Sequence, residues 1–286
     1  MLNVYDVRRR MVFMPKTLCL LIPSSLTIES SDQRIKTYKI GQIARAASIF
    51  RVNHIFIYKD KAFDDSKFID AVLRYLETPQ YLRKKLFPLN EDLRNVGVVP
   101  PLRTAHHPLN SKSSKLSLGE LREGIMIEKR NKTILVDIGV EIPARLNSKE
   151  KLTKFRRITT KITSKDPLEV ELVNPDNISE WWGYSTKIVG SLAKTLKVFE
   201  SGVVVFTSKN GEVFKGGAVL KNEERVTFVF GSPRRGVESI LKDEGLSTGD
   251  FSGCVVNTIP DQGTETVRTE EAIFATLAVY NAIAPF

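Results

Sequence analysis

The 286-residue chain has the composition of a folded, soluble protein: 42% of its residues are hydrophobic and 27% are charged, which excludes an intrinsically disordered chain. Two cysteines, Cys19 and Cys254, exclude a disulfide framework and favour a cytoplasmic setting, and no run approaches the ~18 apolar residues that a membrane span needs. The formal net charge of +10 favours a polyanionic partner over a membrane.

Residues 1–14 are predicted to form a basic, loosely ordered arm. Basic residues followed by an apolar run resemble a secretory signal, but Pro15 and Lys16 interrupt the run, and no small-residue cleavage site follows. We therefore expect no secretion signal. Both cysteines lie beside strand-like residues, so both are expected to be buried structural thiols.

From residue 15 to residue 94 the sequence alternates between strand-like and helix-like patterns. Such an order is typical of a parallel sheet with helices packed on it. The predicted elements are a strand over Thr17–Pro23, a helix from about Asp32 to Phe50, a strand over His54–Asp60, a helix over about 65–77, and a helix that Pro79 begins and Pro88 ends.

The alternation of strand-like and helix-like patterns ends at Val98–Pro101. Residues 95–173 contain short strand-like runs separated by turn residues. Four or five short strands in this length predict a small antiparallel barrel, which the oligonucleotide/oligosaccharide-binding (OB) architecture satisfies. The barrel is predicted to be inserted into an α/β domain made of residues 15–94 and 174–286. The runs are EGIMIEKR, KTILVDIGV, FRRITTKIT and LEVELV.

Positive charge is concentrated in the first two thirds of the chain. Residues 1–90 carry 16 Lys and Arg against 8 Asp and Glu, residues 91–173 carry 16 against 11, and residues 174–286 carry 11 against 14. Arg145 to Lys165 holds eight basic residues and one acid. Nucleic acid is the favoured partner of these blocks, and a solvated basic face is the alternative.

The last third contains two apolar strands that each lead into a glycine-bearing loop and a helix, after a strand predicted over WWGYSTKIV. Loops at the carboxyl ends of strands expose backbone amides that hold nucleotide-like ligands. The loop FGSPRRGV lacks both the Walker lysine and the GxGxxG spacing, so neither nucleotide hydrolysis nor nicotinamide chemistry is supported. Thr269 is predicted to cap the last helix, whose apolar face is predicted to contain Ala272, Phe274, Leu277, Ala278 and Ile283.

These loops and several other segments carry a resemblance to a known class. FGSPRRGV and VVNTIPDQGTETVRTEEAIFATLAVYN resemble the last two motifs of the SPOUT RNA methyltransferases, and GQIARAASIFRVNHIFI resembles the first motif of their ribose-methylating branch. The segments IKTYKIGQIARAASIFRV, TPQYLRKKLFP, VGVVPPLRTAHHP and WWGY resemble an archaeal and eukaryotic subfamily with an inserted OB-like barrel. That subfamily includes enzymes assigned to methylate uridine at ring nitrogen three in ribosomal RNA. Over residues 17–286 the resemblance implies an α/β SPOUT domain with a parallel sheet and a deep C-terminal trefoil knot.

The resemblance also implies a cofactor and its site. S-adenosylmethionine in this class lies bent in the knot, held by backbone groups of the last two loops, and no metal is needed. The corresponding cofactor residues are Phe230, Gly231, Gly236, Asn257, Thr258, Ile259, Gln262, Gly263, Thr266 and Val267.

Three residues are expected to be catalytic. Arg45 matches the motif position of the catalytic arginine and is expected to position an anion or phosphate, Arg235 lies in a cofactor loop, and Glu265 is the nearest loop carboxylate. The identity of any general base stays open. The expected RNA-binding residues are Arg34, Lys36, Arg103, Lys154, Arg156, Arg157, Arg234 and Arg268.

Three functions remain open from the sequence. The first is methylation of a uridine base in large-subunit ribosomal RNA, the second is ribose or transfer-RNA methylation, and the third is RNA binding without catalysis. A homodimer is expected by resemblance, because two knots usually build each active site. Trp181, Trp182 and Tyr184 either stack on a flipped base or belong to the core, and His106 and His107 are expected in a connecting loop without metal.

Overall fold

The computed structural model describes residues 17–130, 133–148, 150, 152–199, 202–215, 220 and 223–283, so the predicted N-terminal arm lies outside the described residues. Arg74–Gly183 forms one compact unit, the barrel unit, and the segments before and after it form the other, the sheet unit. In chain order the elements are β1 (Thr17–Pro23), α1 (Gln33–Ile49), β2 (His54–Lys59), α2 (Ser66–Glu77), α3 (Gln80–Leu86), β3 (Leu121–Arg130), β4 (Thr133–Asp137), β5 (Ala144–Leu146), β6 (Arg157–Lys165), β7 (Leu168–Leu172), β8 (Ser185–Ser191), α4 (Leu192–Val198), β9 (Val203–Val213), β10 (Arg225–Val229), α5 (Val237–Lys242), β11 (Gly253–Asn257) and α6 (Thr269–Ile283).

The sheet unit is built on six parallel strands in the order β11-β9-β10-β1-β2-β8. Strands that are covered on both faces are continuously apolar, and the central strand β1 follows this rule because Leu18 to Ile22 are all buried. The predicted parallel sheet is confirmed. The carboxyl ends of its strands share one edge, so the loops after β1, β2, β10 and β11 project there together.

Helix α6 brings the chain back from the outermost strand of the sheet to its middle. Strand β11, which precedes α6, is the outermost strand. Helix α6 nevertheless packs against α1, and the ring of Phe274 lies 6.4 Å from the ring of Phe50. On the same helix, the ring of Tyr280 lies 5.3 Å from that of Phe228 on β10. A knotted chain end requires such a return, whereas the threading that defines the trefoil knot stays a prediction.

The barrel unit contains a closed five-stranded barrel in the order β3-β4-β5-β7-β6, as predicted. β3 pairs antiparallel with both β4 and β6, and β5 pairs parallel with β7, which is the connectivity of an OB barrel. The fifth strand, β5, has three residues and is too short to leave a periodic pattern in the sequence. The barrel unit extends beyond residues 95–173 and includes α3 and the Trp181–Gly183 segment, and the predicted domain boundaries stay a prediction.

Two predictions for α6 are wrong. Thr269 does not cap the helix: it is buried, and its hydroxyl group donates to the carbonyl oxygen of Gly231, while the Glu271 carboxylate accepts from the Arg268 amide. The buried face is also rotated from the predicted one, because α6 packs polar as well as apolar residues against its neighbours and Ala278 is exposed. The buried residues are Thr269, Glu270, Ile273, Thr276, Leu277 and Tyr280.

Two further local predictions are wrong. The strand predicted from Trp181 begins only at Ser185, because Gly183 has a φ of +96° and interrupts extended backbone. Cys254 is exposed because it lies on the edge strand β11, whereas Cys19 on the central strand is buried as expected. Among the described residues, no helix is both long enough and apolar enough to cross a membrane, and the cytoplasmic setting stays a prediction.

Candidate active site

Arg235 holds the loop after β10 at the carboxyl ends of the strands. Its Nη1 atom donates to Oδ1 of Asp60 at 3.0 Å, and its Nη2 atom pairs with Asp243. Asp60 follows β2, is buried, and also accepts a 2.5 Å hydrogen bond from the Ser25 hydroxyl group after β1. Three loops are therefore joined by one carboxylate, and the charge of Arg235 is engaged within the chain.

Phe230 forms the rigid base of the same loop. Its amide donates to the Leu21 carbonyl at 3.0 Å, and its own carbonyl accepts a 2.6 Å hydrogen bond from the Tyr58 hydroxyl group. Burial raises the pKa of Tyr58 well above its ordinary value, so this phenol stays a donor. The backbone of Phe230 therefore has only the second lone pair of its carbonyl left for a ligand.

The glycines of the two candidate cofactor loops differ in the space around their Cα atoms. A Cβ atom on Gly231 would lie 2.6 Å from the Arg235 carbonyl oxygen, so the turn itself requires this glycine. At Gly236 and Gly263, by contrast, a Cβ atom would meet nothing within 4 Å, and neither residue has a left-handed φ. The backbone is thus open at both positions, as a ligand that lies against it requires.

The loop after β11 is ordered by its own polar side chains. Asn257 accepts from the Ile259 amide at 2.9 Å and donates to the Lys209 carbonyl at 2.8 Å. The hydroxyl groups of Thr258 and Thr276 lie 2.8 Å apart. The side-chain amide of Gln262 donates to the Thr264 carbonyl. Gly263, Thr266 and Glu265 are exposed, whereas Val267 is half-buried.

The two loops meet where α6 begins. The hydroxyl group of Thr269 donates to the carbonyl oxygen of Gly231 at 3.0 Å, which links the loop after β11 to the loop after β10. The predicted cofactor residues therefore lie on two adjoining, internally braced loops at the carboxyl edge of the sheet. Their assignment to a cofactor stays a prediction.

The other predicted catalytic residue, Arg45, is exposed on α1. Among the predicted RNA-binding residues, Arg34, Arg103, Lys154, Arg156, Arg234 and Arg268 are also exposed. Lys36 and Arg157 instead serve the fold. Lys36 pairs with Asp65 at 2.7 Å, and Arg157 pairs with Glu77 and Glu123 at 2.5 Å each. Their predicted RNA contacts stay untested, and this internal pairing weighs against them.

The barrel unit contains a buried charge cluster around Glu77, the last residue of α2. Burial alone would raise the pKa of Glu77, but the charge of Arg157 and hydrogen bonds from His106 and Arg157 outweigh it and lower the pKa to about 2. His107 donates to the Glu77 carbonyl at 2.7 Å, which caps the helix. Both histidines lie in the predicted connecting loop and act structurally there.

The two tryptophans of the aromatic segment belong to the same barrel unit, whereas Tyr184 belongs to the sheet unit. The indole nitrogen of Trp182 donates to Glu123 at 2.5 Å, and the ring of Trp181 lies 5.9 Å from that of His106. Tyr184 is buried and donates to the Leu73 carbonyl at 2.9 Å. These contacts favour the core interpretation over stacking on a flipped base. In the described part of the chain, no group of three or more His, Cys, Asp or Glu residues could hold a metal ion.

Sequence reasoning missed two residues of interest. Glu270 is 6% exposed, and its Oε2 atom has no hydrogen-bond partner among the described residues. Burial raises the pKa of this carboxyl group. Glu270 lies three and seven residues before Ile273 and Leu277, and this helical spacing was the sequence signal that it shares their buried face. Phe155, in the basic stretch of the barrel, is 43% exposed and has a φ of +62°.

The structure thus places two braced glycine-bearing loops at the carboxyl ends of the parallel strands, and comparison with known proteins gives the class of the chain. The family model described as "Putative RNA methyltransferase" matches residues 17–280. An uncharacterised protein of Halobacterium salinarum is 34% identical over 91% of this chain and 97% of its own length.

A mouse protein named 28S rRNA (uridine-N(3))-methyltransferase is 29% identical over 92% of this chain and 76% of its own length. The SpoU methyltransferase AviRb from Streptomyces viridochromogenes, at 10% identity, has a TM-score of 0.35 and covers 93% of this chain and 59% of its own. That likeness is too weak to support a structural argument.

The chain belongs to this family of RNA methyltransferases. The predicted membership of an RNA methyltransferase family is confirmed, and so is the predicted α/β domain with an inserted barrel. The knot that defines the SPOUT class stays a prediction. RNA is its substrate, and methyl transfer is its reaction.

Proposed function

We propose that the chain transfers a methyl group from S-adenosylmethionine to ring nitrogen three of a uridine in large-subunit ribosomal RNA. The observation that carries this proposal is the junction of the two loops at the Thr269–Gly231 hydrogen bond, within a family of RNA methyltransferases. Its target is supported by the mouse relative, which is named 28S rRNA (uridine-N(3))-methyltransferase.

The residues present fit this cofactor. When bound, S-adenosylmethionine supplies a methyl group on a positively charged sulfur. The open backbone at Gly236 and Gly263 admits a flat ligand. The buried Glu270 carboxylate has one oxygen without a hydrogen-bond partner in the described part of the chain, which a cationic ligand suits. Hydrogen bonds within the two loops keep the surrounding backbone ordered, which reduces the conformational entropy lost on binding.

Methylation at ring nitrogen three requires loss of its proton, and the resulting uridine anion requires a nearby cation. We assign this role to Arg45, whose guanidinium group is a cation on an exposed position of α1. Arg235 is a positioning residue in this proposal, because Asp60 and Asp243 already bind its guanidinium group. Glu265 is exposed in the second loop and stays a proposed proton acceptor.

A second copy of the chain is the proposed partner of α1. Ile35, Tyr38 and Ile49 are 50%, 52% and 48% exposed, and their spacing places them with Arg45 on one face of the helix. Apolar side chains on a solvent-facing stripe mark an interaction surface. A homodimer formed there buries the stripe and sets Arg45 at the interface.

The barrel is proposed to bind RNA through the loop before β6. Lys154, Phe155 and Arg156 are consecutive and exposed, and the Lys154 ammonium lies 5.3 Å from the centre of the Phe155 ring. A positive φ in a bulky residue is strained. An aromatic ring presented between two cations suits a base of single-stranded RNA, which stacks on the ring while the cations bind phosphates.

Mass mapping of ribosomal RNA from cells that lack the protein tests the proposed target. We expect one uridine to lose a methyl group from its base, and the purified protein with S-adenosylmethionine to restore it. Loss of a methyl group from a ribose or from transfer RNA selects the second function. An unchanged methylation map, together with undiminished RNA binding, selects the non-catalytic function.

A further inference from the structure

Glu270 is a buried carboxylate whose hydrogen bonds are incomplete among the described residues. Its Oε1 atom lies 3.9 Å from Nζ of Lys39, which is itself closer to Glu29 at 3.1 Å. Its Oε2 atom is buried and has no hydrogen-bond partner within the described ranges. Lys39 thus divides its charge between two acids, and half of the Glu270 carboxylate lacks a donor.

The position of Glu270 relates this missing donor to the methyl-donor site. It follows Thr269 directly, and Thr269 donates to Gly231 at the junction of the two loops. Glu270 occupies the first turn of α6, where the helix dipole favours a negative charge. The helix dipole therefore favours the ionised carboxylate at the end of α6 that adjoins the loops, although burial without a full set of donors is unfavourable.

Of the reactants in the proposed function, only the methyl donor is cationic. RNA is a polyanion, and the uracil ring is neutral. We propose that Glu270 binds the positive charge of the methyl donor, which resides on its α-ammonium group and on its sulfonium. This inference rests on the proposed function and adds the residue that recognises the donor by charge. An ammonium group completes the hydrogen bonding of Oε2, whereas a sulfonium only supplies the opposite charge.

Calorimetric titration of the full chain with three ligands tests the inference. S-adenosylmethionine carries both cations, S-adenosylhomocysteine carries only the ammonium group, and methylthioadenosine carries neither. Glu270→Gln keeps the shape and removes the charge. We expect it to lower S-adenosylmethionine affinity at least tenfold and to leave methylthioadenosine affinity unchanged. An equal loss for S-adenosylhomocysteine assigns the ammonium group, and no loss for it assigns the sulfonium.

Glu271→Gln is the matched control, because Glu271 is exposed on the same helical turn and glutamine still accepts from the Arg268 amide. We expect wild-type affinity for all three ligands. Equal affinities in wild type and Glu270→Gln overturn the inference, and so does an equal loss for all three ligands, which indicates a structural role. If Glu270→Gln does not fold, Glu270→Asp is titrated with the same three ligands. Wild-type affinities in Glu270→Asp then overturn the inference.

The result is separable from that of the proposed function. A wild-type protein that binds neither S-adenosylmethionine nor S-adenosylhomocysteine contradicts the proposed function itself. A wild-type protein that binds both, with Glu270→Gln binding them equally well, contradicts only the role of Glu270.

Discussion

The hydroxyl group of Thr269 donates a 3.0 Å hydrogen bond to the carbonyl oxygen of Gly231. The bond joins the first residue of α6 to the loop after β10, and 38 positions of sequence separate the two residues. The Ser232 amide donates to the Arg235 carbonyl at 2.8 Å and closes the turn that contains the acceptor. A Cβ atom on Gly231 would lie 2.6 Å from that Arg235 oxygen, so the turn admits only glycine. This contact is the point where the two proposed cofactor loops become one site.

Thr269→Val should weaken cofactor binding by loosening this junction. Valine has nearly the same shape as threonine but cannot donate, so the hydrogen bond to the partly buried Gly231 carbonyl is lost at a cost of about 0.5–1.5 kcal/mol. We expect lower S-adenosylmethionine affinity by calorimetry and a lower free energy of unfolding in urea. The control is Thr264→Val, at an exposed position in the same loop. Wild-type affinity in Thr269→Val contradicts the role of the junction.

Arg45→Ala should greatly slow methylation with little effect on cofactor binding. The proposed cation stabilises charge that develops only in the transition state, and removing one such group costs about 10²–10³ in rate. Single-turnover assays with RNA measure the rate, and calorimetry measures the affinity for S-adenosylmethionine. Lys67→Ala, an exposed cation on α2, is the control. Equal loss of cofactor affinity in Arg45→Ala removes Arg45 from the substrate side.

Tyr38→Asp should convert the proposed homodimer to a monomer. Tyr38 is 52% exposed in the apolar stripe of α1, and a buried unpaired carboxylate strongly opposes association. Sedimentation velocity measures the oligomeric state. Lys67→Asp provides the same new charge away from the stripe and should leave the dimer intact. A wild-type protein that sediments as a monomer across its working concentrations contradicts the proposal.

Phe155→Ala should weaken RNA binding without changing its salt dependence. Stacking of one base on an aromatic ring contributes about 1–3 kcal/mol and involves no counterion release. Lys154→Ala should instead reduce the slope of log affinity against log salt by about 1. Fluorescence anisotropy with single-stranded RNA measures both. Phe155→Trp should retain affinity, and Leu118→Ala, at a residue 66% exposed in the same unit, is the control. Equal affinity in Phe155→Ala and wild type contradicts stacking.

His107 should make the barrel unit lose stability in mild acid. Burial and the neighbouring His106 lower the pKa of His107 to about 4. The unfolded chain, with a pKa near 6.5, binds the proton first, so stability is full above pH 6.5 and falls as the pH drops towards 4. The lowered pKa of Glu77 extends the loss below pH 4.

His107→Gln tests this linkage, because glutamine still donates to the Glu77 carbonyl but does not titrate. We expect the stability lost between pH 7.5 and pH 4.5 to shrink by on the order of 2 kcal/mol. Both tryptophans lie in the barrel unit, so their fluorescence reports its unfolding in urea. An undiminished loss in His107→Gln would show that another group is responsible.

The α/β class, the inserted barrel and most element boundaries could be predicted from the sequence. Strand β1 was predicted over the residues it occupies, and α3 ends before Pro88 as expected. Such features depend on local periodicity and on proline, which act over a few residues. The rotated face of α6 could not be predicted, because Thr269, Glu270 and Thr276 are polar yet buried.

By itself, the sequence determined most of the strands and helices, and it contained the two loops to which the family resemblance assigns a methyl donor. Only the tertiary structure decided which charges are engaged. Arg235 pairs with Asp60 across 175 positions of sequence, and Arg157 pairs with Glu77 across 80. One oxygen of Glu270 has no hydrogen-bond partner among the residues that the structure describes. A residue type states what a side chain can donate or accept, whereas burial and the partners that folding brings within reach determine what remains for a ligand.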